Sequence, residues 1–150
     1  MAQNVGAGNR RRALQGFSRG TAITIGTGLV FSLLLRLGAQ PLSAVFLAPG
    51  SGAMALSISY LELISWFYFL AFSGHSFVGW YRGTGRMSIT FWGTTIQILA
   101  RVAGTYLLVG AMGLDAVALA TGAGWLLIAA FQITVFVLER RGIWPRQASL

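Results

Sequence analysis

Four ionisable side chains stand inside otherwise apolar runs of this chain: Arg36, Glu62, His75 and Arg101. Hydrocarbon penalises charge, so each needs a partner, water or a place near the end of its run. Arg36 lies one turn from the end of its run, where a long side chain can snorkel outwards with no further purpose. Glu62 is two to three turns into the next run, and two uses are open to it: an ion pair with Arg36, or the wall of a water-filled cavity. Arg101 sits near the middle of the third run, out of easy reach of either end. It must face protein, a cavity or a carboxylate. Gln97 precedes it by four residues on the same helical face, and Thr105 follows it by four. Thr94 extends this polar stripe by a turn. A stripe of this kind suits a helix contact or an aqueous path. His75 is the only histidine, the residue type best suited to carrying protons near neutral pH. It lies among Ser73, Gly74 and Ser76, so a proton relay and a hydrogen-bonded packing role are both open. Arg101, Gln97, Glu62 and His75 are therefore the candidates for lining a polar path.

Other chemistry finds no support. There is no cysteine, one histidine and three carboxylates, so no metal-ligand motif can be assembled. No nucleophile, base and acid set is present either, and no catalytic residue, cofactor or metal is expected. The segment Arg82-Gly83-Thr84-Gly85-Arg86 reads as a tight turn. A phosphate loop needs a preceding strand and a Lys-Ser/Thr ending. The composition is 55% hydrophobic and 9% charged, against about 25% charged in soluble domains. That excludes an ordinary cytosolic enzyme and a disordered chain.

The elements that must position these residues are helices in a bilayer. Four stretches approach the length of about 20 residues that crosses the hydrocarbon. They cover roughly 20–37, 53–80, 88–112 and 116–138, and form an all-α, four-span transmembrane unit over 20–138. The first ends at Gly38-Ala39-Gln40-Pro41. The second is long, so it should tilt or extend into the interface. A basic segment, 1–19, precedes the unit and a basic tail, 139–150, follows it. No alternating pattern of about ten residues suggests membrane strands.

The net charge is +8, from eleven arginines and no lysine. Arg10, Arg11, Arg12 and Arg19 precede the first span, Arg82 and Arg86 join the second to the third, and Arg140, Arg141 and Arg146 follow the fourth. The other two connections carry none. Positive charge stays cytoplasmic, which places both termini on that side. This distribution accounts for the charge, and no nucleic-acid partner is expected. Trp80, Tyr81 and Trp144 fall where interface anchors are favoured. The apolar run after Gly20 spans rather than ending in a cleavage site, so a signal peptide is not expected. Ala116, Ala120 and Gly124 form a small-residue face for helix packing. Gly26, Gly28 and the stretch Gly122-Ala123-Gly124 suit the same purpose or a bend.

Three stretches resemble one family. Ala2-Gln3-Asn4-Val5-Gly6-Ala7-Gly8-Asn9 is similar to the Gln-Asn-x-Gly-Ala-Gly segment after the second or eighth helix of multidrug and toxic compound extrusion (MATE) transporters. Tyr60-Leu61 with Arg82-Gly83-Thr84-Gly85 resembles the family's Tyr-Leu…Arg-Gly-x-Gly helix and loop. Arg101, Tyr106-Leu107-Leu108, the run from Gly113 to Thr121 and Gly124-Trp125 resemble its last two helices. The resemblance implies helices nine to twelve of a twelve-helix fold, since Glu139-Arg140-Arg141-Gly142 looks like a family C-terminus. It implies a multi-pass protein of the plasma membrane. The activity implied is multidrug efflux by an antiporter, moving lipophilic or cationic small molecules against a proton or sodium gradient. The first lobe would then come from a partner, or be replaced by self-association. By the Arg-Gly-x-Gly register, the acidic cation ligand of some branches falls on Ala71, and a family proline falls on Ala103. The other expectation is a non-transporting four-helix accessory or remnant protein.

Overall fold

The structure is a computed structural model that describes residues 2–143. Among these, all regular structure is helical: α1 (Ala2–Gly6), α2 (Arg10–Ala44), α3 (Gly52–Ser65), α4 (Tyr68–Gly83), α5 (Met87–Met112) and α6 (Asp115–Arg140). Three of them, α2, α5 and α6, are long and apolar enough to cross a membrane, and the bent pair α3–α4 makes a fourth if it is one span. Trp144 and Arg146 lie outside the described residues.

Local chemistry explains three of the helix ends. Asn9 caps α2 by accepting from the Arg12 N–H at 3.2 Å, and Ser51 caps α3 by accepting from the Met54 N–H at 3.2 Å. These side chains satisfy donors that have no carbonyl partner in the first turn. Gly113 ends α5 with φ +55°, a backbone that side chains resist, and so allows the short reversal into α6.

Two expectations need correction. The first helix does not stop at Gly38-Ala39-Gln40-Pro41 but runs on to Ala44. Pro41 stands in the last turn, where its missing N–H costs a single bond. In hydrocarbon, an unpaired backbone carbonyl costs more than the poor helix propensity of Gly and Pro, so the helix persists. At its other end, α2 begins at Arg10, within the basic segment, so the helix is about 52 Å long and exceeds the hydrocarbon thickness.

The second apolar run is not one tilted helix. It breaks at Trp66-Phe67, and its halves meet at a bend of 50°. At the break the Trp66 and Phe67 N–H groups donate to Leu63 and Ile64, three residues back, at 3.4 and 3.0 Å. The Glu62 carbonyl thereby loses its usual donor and accepts from Ser65 Oγ at 2.6 Å instead. A side chain inserted into the backbone ladder is a recognised cause of kinks. A distant residue accommodates the result. The Phe67 ring lies where a Cβ on Gly122 of α6 would be, 2.5 Å away.

The helices pack as two units. α5 lies along α6, while α2 lies along α4 and α3, and α3 and α4 both reach α6. Gly28 marks the closest approach of α2 to α4, since a Cβ there would stand 2.8 Å from the Phe69 Cα. The core gathers at the basic end, where Ala13 and Phe17 of α2, Trp80 and Tyr81 of α4, Ile89 of α5 and Val135 of α6 are buried together. Phe17 is 5.0 Å from Trp80 and 5.3 Å from Phe136, centroid to centroid.

Candidate functional site

The polar stripe of α5 is held against α6 by the absence of a side chain. A Cβ on Gly124 would meet the Gln97 carbonyl oxygen at 3.1 Å, Gln97 Cγ at 3.3 Å and Arg101 Cβ at 3.7 Å. Gly124 therefore fixes how close Gln97 and Arg101 come to α6. Gln97, Thr94 and Thr105 are half-buried, and Arg101 is exposed. The guanidinium carries no hydrogen bond or ion pair among the described residues. The reason is that all three carboxylates sit elsewhere. Glu139 pairs with Arg86. Asp115 accepts from Ser59 Oγ at 2.9 and 3.0 Å. Glu62 is exposed on α3. The most apolar 18-residue stretch of α5 has no buried residue, so Arg101 opens onto an uncovered face and not into this bundle.

Glu62 and Arg36 do approach each other, in an unexpected way. Arg36 donates to the Glu62 backbone carbonyl at 3.5 Å, and its guanidinium lies 4.8 Å over the Trp66 ring. The break in the helix freed that carbonyl, and the cation meets it together with an aromatic face. The side-chain ion pair considered from the sequence is not formed. His75 is exposed on α4, with Nδ1 2.6 Å from the Ala71 carbonyl oxygen one turn back. The local carbonyl thus engages one ring nitrogen of the exposed side chain. No hydrogen bond or ion pair among the described residues joins any two of Arg101, Gln97, Glu62 and His75. Ala116, Ala120 and Gly124 are all buried on α6, and Gly104 of α5 packs opposite Ala120. Gly26, by contrast, faces open space.

Sequence reasoning missed several polar contacts inside the bundle. Thr24 Oγ1 and Ser76 Oγ are 2.7 Å apart between α2 and α4. Ser43 Oγ and Ser57 Oγ are 2.8 Å apart between α2 and α3. Tyr81 donates its hydroxyl to the Gln132 carbonyl at 2.8 Å. The Gln132 side chain is fully buried, and its Oε1 and Nε2 have no partner among the described residues. Trp80 Nε1 and Thr90 Oγ1, on neighbouring helices, are in the same condition. Hydroxyls at helical spacing were the available signal for the first two contacts, but such residues also bond their own helix backbone and so do not declare a partner. Among the described residues there is no group of three metal-ligating side chains.

Residues 1–107 match the family model MatE, which takes in the N-terminal Gln3-Asn4 segment, α2 to α4 and α5 as far as Leu107. No curated protein and no solved structure matches the chain.

Proposed function

The chain belongs to the MatE family of membrane transporters, and we propose that it forms part of a multidrug efflux antiporter. Its cargo would be lipophilic or cationic small molecules, moved out of the cell against a proton or sodium gradient across the plasma membrane. The observation that carries this reading is the mid-span Arg101, set with Gln97 on a helix that the rest of the chain leaves uncovered. A charge at that depth is costly in lipid. It becomes useful where α5 lines a polar path completed by further helices, from a first lobe or from a second copy. Paired lobes rocking around a midplane site are the general logic of such transporters. The basic end, with both termini, faces the cytoplasm in this reading, by the retention of positive charge on that side.

Transport tests the function directly. The purified chain in vesicles, given a proton or sodium gradient, should not move a fluorescent cation by itself. Vesicles that also hold a first-lobe partner should move it, and Arg101→Leu should end that movement. Equal movement with Arg101→Leu would overturn the assignment of the path to α5. No movement in any combination would overturn the transport reading. Orientation has its own check. Ser51→Cys adds a single thiol to a chain that has none, and it should react with an impermeant reagent in intact cells. Reaction only after permeabilisation would reverse the topology.

A further inference from the structure

The basic end holds a groove that the transport reading does not use. α2 packs mainly on α3 and α4, and α6 on α5, α3 and α4, so at this end α2 and α6 meet through side chains, Phe17 against Phe136 at 5.3 Å, with a recess beside that contact. The recess has a volume of about 550 Å³. Arg11 and Arg140, at the ends of their helices, line it together with Leu14, Phe17, Thr21 and Phe136. The lining follows from the sequence. Arg11, Leu14, Ser18 and Thr21 recur at helical spacing along one face of α2, while Phe136 and Arg140 are one turn apart on α6. Each wall therefore runs from a cation at the helix end to apolar groups towards the membrane centre. Thr21 donates its hydroxyl to the Phe17 carbonyl at 2.8 Å, which spends its polarity inside the helix. Ten residues separate Arg11 from Thr21, about 15 Å along the axis.

Charge and shape together specify an occupant. Glu139, the only carboxylate at this end among the described residues, is engaged by Arg86. Among the described residues, Arg11 and Arg140 thus face no free acid, and together they favour an anion. An apolar trough continues from that point into the membrane. We propose that this groove binds an anionic phospholipid, its phosphate between Arg11 and Arg140 and one acyl chain along Leu14, Phe17 and Phe136. Basic pockets between membrane helices on the cytoplasmic side suit such headgroups. The inference rests on the membrane setting and on the cytoplasmic placement of the basic end. It is independent of whether the chain moves a drug.

The test is retention of lipid by the purified chain. The protein is prepared in nanodiscs of mixed phosphatidylcholine and phosphatidylglycerol, released into mild detergent, and weighed by native mass spectrometry. The double variant Arg11→Gln/Arg140→Gln should retain about thirtyfold less phosphatidylglycerol, the combined effect of two basic side chains at an anionic surface. A charge-matched control, Arg82→Gln/Arg141→Gln, should retain it as the parent does. Ser18→Trp fills the trough without changing charge and should also lose the lipid, which keeps the test open if the double variant fails to fold. Equal loss in the control would reduce the effect to net charge and overturn the site. Full displacement by inorganic phosphate would show that the apolar walls contribute nothing, with the same consequence. A disulfide between copies through Ser18→Cys, formed in bilayers rich in phosphatidylglycerol, would show a second chain in the groove instead and would also overturn it. A wrong orientation would be revealed separately by the Ser51→Cys labelling. Failure of transport would leave the lipid result standing.

Discussion

Arg86 stands at the start of α5 and Arg101 in its middle, about four turns apart. Arg86 precedes the first turn and is ion-paired with Glu139 of α6, both side chains nearly buried at 11% and 12% exposure. Arg101 lies mid-helix, exposed, with no ion pair among the described residues. The surroundings differ in the same sense. Around Arg86, four helices close on one aromatic cluster. Around Arg101, α5 touches α6 along one edge and is otherwise uncovered. A charge that is paired where helices converge holds the fold. A charge left open at mid-depth cannot stabilise this chain in lipid, so its use lies in whatever meets that face. The comparison separates structural from functional arginines on physical grounds, and substitutions can break it.

The largest effect should come from Glu139. Glu139→Leu leaves the Arg86 guanidinium nearly buried without its counter-charge, and removing one partner of such a pair costs about 3 kcal/mol or more. Thermal or denaturant unfolding in detergent measures this. The double replacement Arg86→Leu/Glu139→Leu should recover most of the loss, because two apolar side chains of suitable volume replace the pair without an orphaned charge. If the single and double variants unfold alike, the pair is not what closes the basic end, and the contrast with Arg101 fails.

Arg101→Leu should leave folding stability nearly unchanged. No partner is lost, so detergent unfolding should stay within about 0.5 kcal/mol of the parent. Insertion of α5 into a bilayer should become easier by about 3 kcal/mol, the difference between Arg and Leu at a helix centre. A translocon-insertion assay on α5 reads that change. A clear loss of folding stability would mean that Arg101 is held within the chain, and the two arginines would then be of one kind.

The same physical split explains how far the sequence could be read. Span positions follow from hydropathy, which is a local property: α5 covers Met87–Met112 and α6 covers Asp115–Arg140, against expected ranges of 88–112 and 116–138. The short connection between them, 113–115, was visible as a gap between the two apolar runs. The break at Trp66-Phe67 was not, because Ser65-Trp66-Phe67-Tyr68 is as apolar as its neighbours and holds neither Gly nor Pro. The contact that accommodates it, Phe67 against Gly122, joins residues far apart in the chain. The candidate site divides in the same way. Depth along a helix identified Arg101 and Glu62 as residues needing a partner. Which partner each would find depended on packing. Arg36 reached the Glu62 carbonyl because the helix breaks there, and Arg101 found no acid because none lies near it. Gln132 went unnoticed for a related reason. One amide in an apolar span carries no sign of being fully buried.

The smallest expected effect tests whether the paired half of the molecule owes its cohesion to charge or to packing. Thr24 and Ser76 share a hydrogen bond of 2.7 Å between α2 and α4, a few residues from the point where Gly28 lets the two backbones approach. In hydrocarbon such a bond should be strong if the separated helices left both hydroxyls unmet. They do not, because each hydroxyl can turn to its own helix: Thr24 Oγ1 already donates towards the Thr21 carbonyl at 3.0 Å. Measured interhelical bonds in membranes average about 0.6 kcal/mol for this reason. A double-mutant cycle with Thr24→Val and Ser76→Ala, read by unfolding in detergent, should therefore give a coupling near about 0.6 kcal/mol, well below that of the Arg86–Glu139 cycle. A Thr24–Ser76 coupling as large as that of the ion pair would place polar contacts, and not the aromatic cluster and the glycine approaches, at the centre of how α2 and α4 are held.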